Sequence, residues 1–276
     1  MDWMEMAIKK AGCESREAFC RKFDLPMTEE WTPEVSRAVH SWLVGVTYHR
    51  LGPGENLYQV AQRYEASVRG ILTANACFKG RALQPGQVLA VPLDCPVIPW
   101  DSPFSSQVQA LFLEGLQARC PRLEAWPLTR TGSGRNVWAL RLGTGPRRVL
   151  MTAGYCSSEA ITSLLLWRIL EACCDGLRDD GYLSGTSCRR LFRDVSLYLV
   201  PLVNPDHPDE PNCTAPEADT TCLERLAQEL QPDAWAAWRT DGTAGPEDIV
   251  VNVAPGLPLR AAYEEKLPVF VKLLQD

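Results

Sequence analysis

Two residue types that bind zinc in proteins stand three positions apart where a predicted strand gives way to a predicted helix. An apolar run at 149–151 is followed by Gly154, and from Ile161 onward apolar residues recur at helical spacing. Cys156 and Glu159 lie in the turn between them. Sites in open α/β sheets form at the carboxyl ends of strands, and a thiolate and a carboxylate placed there could hold a metal. The same pattern also fits a buried thiol and a carboxylate at a helix N-terminus, because two ligands alone do not make a zinc site.

The segment from Arg147 to Ser163 resembles the signature of the zinc carboxypeptidase A-like family. Within that family it is most similar to bacterial γ-D-glutamyl-diaminopimelate endopeptidases, which cut peptidoglycan stem peptides. In the family this turn carries His-x-x-Glu, and both residues bind zinc. Here Cys156 stands at the His position and Glu159 is kept. The third family ligand, a His that ends a later strand, is matched by Arg239, and the general-base Glu of a late strand is matched by Asn252.

These replacements differ in their chemical consequences. Cys156 could still bind zinc, because thiolates are ordinary zinc ligands. Arg239 has no lone pair to donate at any relevant pH, and its positive charge repels Zn²⁺. Asn252 cannot accept a proton from water as a carboxylate does. We therefore expect no catalytic residue, no metal-ligand set and no resident cofactor at these positions, and we predict that the Arg239 guanidinium replaces the cation and pairs with Glu159.

The carboxypeptidase-like region is also predicted to be shortened. In the family a long run with substrate-binding arginines lies between the strand matched by Ser196–Val203 and the strand matched by Asp233–Arg239. Here residues 207–232 contain mostly one predicted helix. Two hypotheses follow: a degenerate, inactive peptidase-like domain, or an active zinc peptidase with unusual ligands that cleaves γ-D-glutamyl-diaminopimelate stem peptides.

Residues 46–93 have the pattern of a strand, two helices and a second strand. The region resembles a LysM domain, with Pro53-Gly54-Glu55-Asn56-Leu57 in place of Pro-Gly-Asp-Thr-Leu and with Leu83-Gln84-Pro85-Gly86-Gln87 as the Leu-x-Pro-Gly-Gln motif. This resemblance implies binding to peptidoglycan or a related polymer that contains N-acetylglucosamine. The contacts that it implies are Gly54, Glu55, Asn56 and Leu57 on one side of a groove, and Ala76, Cys77 and Phe78 on the other. For single residues a structural role fits as well: Gly54 as a turn glycine, Leu57 as a core residue and Asn75 as a helix end.

The predicted organisation is an α/β chain of several parts. A helical module at 1–45 is similar in order and size to three-helix peptidoglycan-binding domains, and a docking helical cap fits it equally. A LysM domain follows at 46–93, a proline-rich linker at 94–103, and a mixed-sheet, carboxypeptidase-like α/β layered domain at 104–276.

Composition narrows the range of partners. The formal net charge of −6 gives no basic footprint for nucleic acid or for an anionic membrane. No apolar run is long enough to span a bilayer, and the first residues lack the pattern of a secretory signal. Eleven scattered cysteines fit reduced thiols. We expect a cytoplasmic or spore-associated protein, and nothing in the pattern specifies its oligomeric state.

Other chemistry is less well supported by the sequence. A second metal site would need His207 and Asp206, or His49, which we predict to be solvated; His40 fits a surface position on the third helix. A nucleophilic role for Cys156 lacks a histidine base placed nearby in the sequence.

Overall fold

The computed structural model of the protein describes residues 3–27, 31–78, 80–99, 104–156, 159–183, 185–206, 217–240 and 249–253. The chain forms two compact units. The first comprises Met1–Pro103, Gln107–Arg122 and Leu177–Asp179, and the second comprises Phe104–Ser106, Leu123–Gly176 and Asp180–Asp276.

The first unit begins with a helical module. Its helices are α1 (Trp3–Lys10), α2 (Arg16–Lys22) and α3 (Pro33–Val44). The Thr32-Pro33 pair predicts a helix start, and the structure confirms it, because the Thr32 hydroxyl accepts a hydrogen bond from the Val35 amide at 3.3 Å. Gly45 ends the helix with a φ of 70°, a left-handed conformation that suits glycine. The three helices enclose an apolar core in which Phe19 is fully buried.

The predicted βααβ order is confirmed in the next part of this unit. Its elements are β1 (Val46–Arg50), α4 (Leu57–Arg63), α5 (Val68–Ala74), a 3-10 turn at Ala76–Phe78 and β2 (Val88–Pro92). The two strands pair antiparallel, so that Val46 faces Pro92 across the ribbon. The two helices cover the ribbon through a core around Ile71 and Leu89.

Helix α6 (Ser106–Arg119) follows. The Ser102-Pro103 dipeptide predicts that this helix starts there, but these two residues lie outside the described part of the chain. A glycine at position 115 lets α6 approach the end of α3. A Cβ atom added to Gly115 would lie 2.1 Å from the carbonyl oxygen of Val44, so no larger residue fits there without a shift of the backbone.

The second unit is built on a mixed six-stranded sheet, which confirms the predicted α/β fold class. Its strands run in the order β10-β9-β5-β8-β4-β3, and a separate ribbon is formed by β6 and β7. The bounds are β3 Glu124–Arg130, β4 Asn136–Leu142, β5 Arg147–Thr152, β6 Tyr182–Leu183, β7 Thr186–Ser187, β8 Val195–Val200, β9 Ala234–Thr240 and β10 Ile249–Val253. Strand β5 is parallel to both β8 and β9, and the other pairs are antiparallel.

Three helices belong mainly to this unit. They are α7 (Ala160–Asp179), α8 (Cys188–Asp194) and α9 (Glu217–Leu230). Leu223 and Leu226 of α9 join a buried cluster with Leu150 of β5 and Tyr198 of β8, which fixes α9 against the sheet. The sequence predicts that α9 opens at 214–216 and that a last helix runs to Leu274, and both regions lie outside the described residues.

Within the described ranges, no helix combines the length and the apolar character that crossing a bilayer requires. The cysteines in these ranges, ten in all, are thiols rather than disulfide-bonded.

Candidate functional site

The predicted pairing of Glu159 with Arg239 is confirmed. Glu159 is the residue before α7 and is only 2% exposed, whereas Arg239 lies near the end of β9. The parallel pairing of β5 with β9, which places Thr152 beside Ala237, brings the ends of these two strands together. There the Arg239 Nε donates a hydrogen bond to Glu159 Oε1 at 2.5 Å. A charged donor and a charged acceptor at this distance form one of the stronger types of hydrogen bond.

The second oxygen of the buried carboxylate is also bonded. Glu159 Oε2 accepts hydrogen bonds from the backbone amides of Tyr155 at 2.9 Å and Cys156 at 3.3 Å. Two amides and one guanidinium therefore compensate the loss of water around the charge, as a buried carboxylate requires.

An aromatic ring completes the surroundings of the guanidinium. The Cζ of Arg239 lies 4.6 Å from the centre of the Tyr155 ring, which is the geometry of a cation–π contact. The Tyr155 hydroxyl is 2.7 Å from the Thr152 hydroxyl, which also accepts a hydrogen bond from Trp235 Nε1 at 3.1 Å. Burial raises the pKa of Tyr155, although the Thr152 hydrogen bond and the Arg239 charge act in the opposite direction. The ring is thus a neutral platform for the guanidinium at ordinary pH.

The charge of Arg239 is held permanently at this position. Partial burial acts to lower the pKa of Arg239, but the hydrogen bond and the negative charge of Glu159 outweigh it and hold the pKa above its usual value. Arg239 Nη2 also lies 3.7 Å from the Sγ of Cys156. The guanidinium therefore contacts both Cys156 and Glu159, the two residues at the predicted zinc-ligand positions that have lone pairs to donate.

The turn that carries Tyr155 and Cys156 is tied to the end of β8, which sequence reasoning did not foresee. The amide of Asn204 donates to the Gly154 carbonyl at 2.9 Å, and its side-chain Nδ2 lies 3.4 Å from the Tyr155 carbonyl. Gly154 has a φ of 68°, and a Cβ there would lie 2.2 Å from Ser163 Oγ, so this position requires glycine. No local sequence signal links Asn204 to the turn.

A zinc ion does not fit the residues at this site. Zinc needs lone pairs from three protein ligands or more, and here the third position holds a guanidinium that already bonds the carboxylate of the second. Over the part of the chain that the structure describes, no three His, Cys, Asp or Glu side chains gather in a way that could hold a metal. The positive charge next to Glu159 is that of the Arg239 side chain.

Asn252, at the predicted general-base position, lies in β10. The antiparallel register places Asn252 opposite Ala237, two residues from Arg239 along β9. His207, a candidate for a second metal site, lies outside the described residues, whereas Asp206 accepts a hydrogen bond from the Thr131 hydroxyl at 2.6 Å and so has a structural partner.

The loop predicted to contact glycan borders an open depression of about 560 Å³. Gly54 has a φ of 74°, and no atom lies within 4 Å of a Cβ placed on it, so its backbone is accessible to a ligand. Asn56 is exposed, but its side chain caps α4 by accepting from the Gln59 amide at 3.0 Å. Leu57 is partly buried against the core of the βααβ module, which fits the structural alternative for that residue.

Glu55 is held by the module itself, and the prediction that His49 is solvated is wrong. His49 is 7% exposed, its Nε2 lies 2.7 Å from Glu55 Oε2, and its Nδ1 lies 3.1 Å from the Tyr64 hydroxyl. Glu55 also accepts from the Gly52 amide at 3.0 Å. This amide and the His49 hydrogen bond keep the pKa of Glu55 below its usual value. The carboxylate therefore fixes the shape of the loop, and the backbone of the loop is the part open to a ligand.

The second predicted side of the groove is the 3-10 turn after α5. Ala76 and Cys77 are exposed, whereas Phe78 packs against the same core as Leu57. Asn75 is confirmed as a helix-end residue, because it is the C-cap of α5. Its side chain also donates to the Ala90 carbonyl at 2.7 Å and accepts from the Ala90 amide at 3.0 Å. These bonds fix the turn on β2. His40 is exposed on α3, as predicted, and lies 3.2 Å from Glu114.

Comparison with known protein families gives two matches. Residues 49–92 match the LysM domain, and residues 110–206 match the zinc carboxypeptidase family. Among curated relatives, the chain is 34% identical over 91 residues to the uncharacterized protein YqgT of Bacillus subtilis, an alignment that covers 32% of this chain and 24% of the relative. It is 27% identical over 94 residues to γ-D-glutamyl-L-diamino acid endopeptidase 1 of Lysinibacillus sphaericus, covering 34% of this chain and 24% of the relative. The chain thus spans about a quarter of the length of these relatives.

Solved structures include a similar metallo-carboxypeptidase from Burkholderia cenocepacia, with a TM-score of 0.42, 21% identity, and coverage of 58% of this chain and 48% of that chain. A putative carboxypeptidase A from Shewanella denitrificans gives a TM-score of 0.41 with 17% identity, and it covers 58% of this chain and 46% of that chain. The two family matches show that the protein contains a LysM domain and a zinc carboxypeptidase-like domain.

Proposed function

We propose that the protein binds peptidoglycan or a related N-acetylglucosamine polymer through its LysM domain, and that its carboxypeptidase-like domain does not hydrolyse peptides. The second part of this proposal rests on one observation, the 2.5 Å hydrogen bond between Arg239 and Glu159. A hydrolase of this type needs a metal to polarise the carbonyl and to activate water. A guanidinium that is fixed on the carboxylate supplies positive charge but no open coordination position.

The glycan-binding part is supported by the accessible backbone around Gly54. N-acetyl groups carry one amide donor and one carbonyl acceptor, which pair with exposed backbone groups of a loop. The similarity to a γ-D-glutamyl-L-diamino acid endopeptidase favours wall polymers that carry such peptides over plain chitin.

Replacing Gly54 by asparagine should weaken binding to purified peptidoglycan. Asparagine tolerates a positive φ better than most residues, and the space around Gly54 is open, so the domain should fold while the new side chain blocks the loop. We expect about a tenfold increase in Kd, or ~1.4 kcal/mol, in a sedimentation assay.

Gly86→Asn is the matched control, because Gly86 also has a positive φ, 87°, and no atom lies within 4 Å of its added Cβ. It lies in the other turn of the module, outside the predicted contacts. Equal loss of binding in both variants, or no retention of the unmodified protein, would contradict the assignment of this loop.

The purified protein should not cleave a γ-D-glutamyl-diaminopimelate peptide, with or without added Zn²⁺, in a chromatographic assay of the products. The control is the same preparation in the peptidoglycan binding assay, which shows that the LysM domain is folded, together with circular dichroism of the whole chain, which shows that the second unit is folded as well. Turnover that disappears with a chelator would instead support an active zinc peptidase.

A further inference from the structure

A second depression in the first unit is lined by groups that no part of the proposed function uses. It is a cleft of about 610 Å³ between the helical module and the LysM domain. The helical module contributes Lys10, Lys22 and Trp42, and the LysM domain contributes Arg63 and Tyr64. Its size is in the range of a pocket for a small molecule or for a short segment of a polymer.

The cleft and the depression beside the glycan loop share one lining residue. Arg63, the last residue of α4, lines both this cleft and the depression beside Gly54. The Arg63 side chain is 59% exposed and lies 3.3 Å from Glu55, so it borders both depressions while it is held by the loop. A polymer bound at the Gly54 loop would lie beside Arg63, and the cleft is the next depression that it could reach.

The charge of the cleft is weakly positive. Three cations, Lys10, Lys22 and Arg63, line it together with two acids, Glu65 and Asp94. An excess of one positive charge suits a single carboxylate better than a polyphosphate chain, which carries many more negative charges.

Lys22 is placed to meet such a group. Its ammonium donates to the Ala11 carbonyl at 3.2 Å and lies 5.9 Å from the centre of the Trp42 ring. An ammonium has three donors, so this anchoring leaves capacity for an anionic ligand. The indole ring beside it offers an apolar face on which the C–H groups of a sugar or an aliphatic side chain can pack.

We propose that this cleft binds a carboxylate-bearing part of the polymer, such as a peptide attached to the glycan, next to the segment held at the Gly54 loop. This inference rests on the proposed glycan binding. It makes the helical module a contributor to specificity, because a neutral N-acetylglucosamine chain would occupy the loop alone and an acidic glycopeptide would occupy both sites.

The test compares three soluble ligands by titration calorimetry: neutral chitotetraose, peptidoglycan fragments with free peptide carboxylates, and the same fragments after amidation of those carboxylates. The unmodified protein should bind the acidic fragments about fivefold more tightly than the amidated ones, as one partly exposed ion pair allows. Lys22→Glu should abolish this preference and leave chitotetraose binding unchanged.

Arg21→Glu is the matched control, because Arg21 is exposed on the same helix and lies outside the lining of the cleft. It changes the net charge by the same amount, so it should keep the preference if the effect is local. Lys22→Gln provides a second variant that removes the ammonium without adding a negative charge.

The outcomes separate this inference from the proposed function. Binding of chitotetraose without any preference for free carboxylates would overturn the role of the cleft alone, as would equal loss of the preference in the Lys22 and Arg21 variants. Failure to bind all three ligands would overturn the proposed glycan binding and this inference with it.

Discussion

Arg239→His is expected to give the carboxypeptidase-like domain one tightly bound zinc ion per chain. In histidine, Nε2 is three bonds beyond Cβ, as Nε is in arginine, and the Arg239 Nε lies 2.5 Å from Glu159 Oε1. The substitution therefore places the lone pair of a histidine nitrogen where the unmodified protein has the guanidinium cation. Cys156, which lies 3.7 Å from the guanidinium, and Glu159 would complete a three-residue ligand set with an open fourth position.

Zinc content and metal-dependent stability both measure this change. The unmodified protein should retain no stoichiometric zinc after dialysis, whereas the His variant should retain one ion. At free zinc 100-fold above Kd, the variant should gain about 2.7 kcal/mol of unfolding free energy, because the metal binds only the folded site. Substitution by Co²⁺ should produce a thiolate charge-transfer band that is lost when Cys156→Ser is added.

Arg239→Lys is the control for charge, because it keeps a cation beside Glu159 and has no lone pair at neutral pH. It should bind no zinc. A stoichiometric, Cys156-dependent zinc site in the unmodified protein would show that the guanidinium does not replace the metal. The prediction of zinc binding does not require that Arg239→His hydrolyses peptides, because Asn252 still occupies the predicted general-base position.

The Glu159–Arg239 pair was predictable from sequence because both residues occupy positions fixed by strand ends. A strand followed by a helix locates Glu159, and a second strand locates Arg239, so the family likeness alone sets their juxtaposition. The contribution of Tyr155 was not predictable in this way. Its contact with Arg239 depends on the path of the turn after β5, which is set by the hydrogen bonds from Asn204.

The sequence pattern does not predict strand β3, and the physical reason is different. It contains Pro127, which is typical of loops and is excluded from central strands. Because β3 is the edge strand of the sheet, it tolerates a proline, and the register shifts between Pro127 and Thr129. Its burial also fails to alternate, so the period of two that identifies a strand is absent.

The error over His49 came from contacts distant in the chain. The strand pattern correctly placed it in β1, but its burial depends on Tyr64 at the end of α4 and on Glu55 in the loop. Both partners lie outside β1 in the sequence. Neither the spacing from His49 to Glu55 nor the spacing from His49 to Tyr64 predicts a contact by itself. Polar residues of this kind are recognised only when the packing of α4 on the ribbon is known.

Removing the buried guanidinium of Arg119 should cause the largest loss of stability in the first unit. Arg119 ends α6, is 5% exposed, and donates to the carbonyls of Gly45, Leu93 and Cys95 at distances of 2.7–3.1 Å. Gly45 precedes β1 and Leu93 follows β2, so one side chain ties both ends of the LysM domain together. Gly45 also ends α3, where the helix dipole favours a cation.

Arg119→Met would keep much of the side-chain volume and remove the guanidinium hydrogen bonds to these buried carbonyls. The Gly45 carbonyl keeps the bond from the Leu93 amide, and the Leu93 carbonyl keeps the bond from the Cys95 amide. Hydrogen bonds to a charged group contribute about 1.5–3 kcal/mol each, so with this partial compensation we expect a total loss of about 2–4 kcal/mol. Arg119→Lys should lose an intermediate amount, because a single ammonium cannot match the fork of a guanidinium.

Hydrogen exchange at residues 45–50 and 88–93 measures this effect better than one unfolding curve, because a chain of two units need not unfold in a single step. Arg37→Met is the control, since Arg37 is exposed, pairs with the exposed Glu34 and donates to the exposed Pro33 carbonyl; it should change stability by less than about 0.5 kcal/mol. If Arg119→Met exchanged no faster than this control, the carbonyls would have found other donors and the guanidinium would not hold the domain ends. If exchange accelerates at both strand ends together, the Arg119 guanidinium holds the two ends of the LysM domain as one cooperative element.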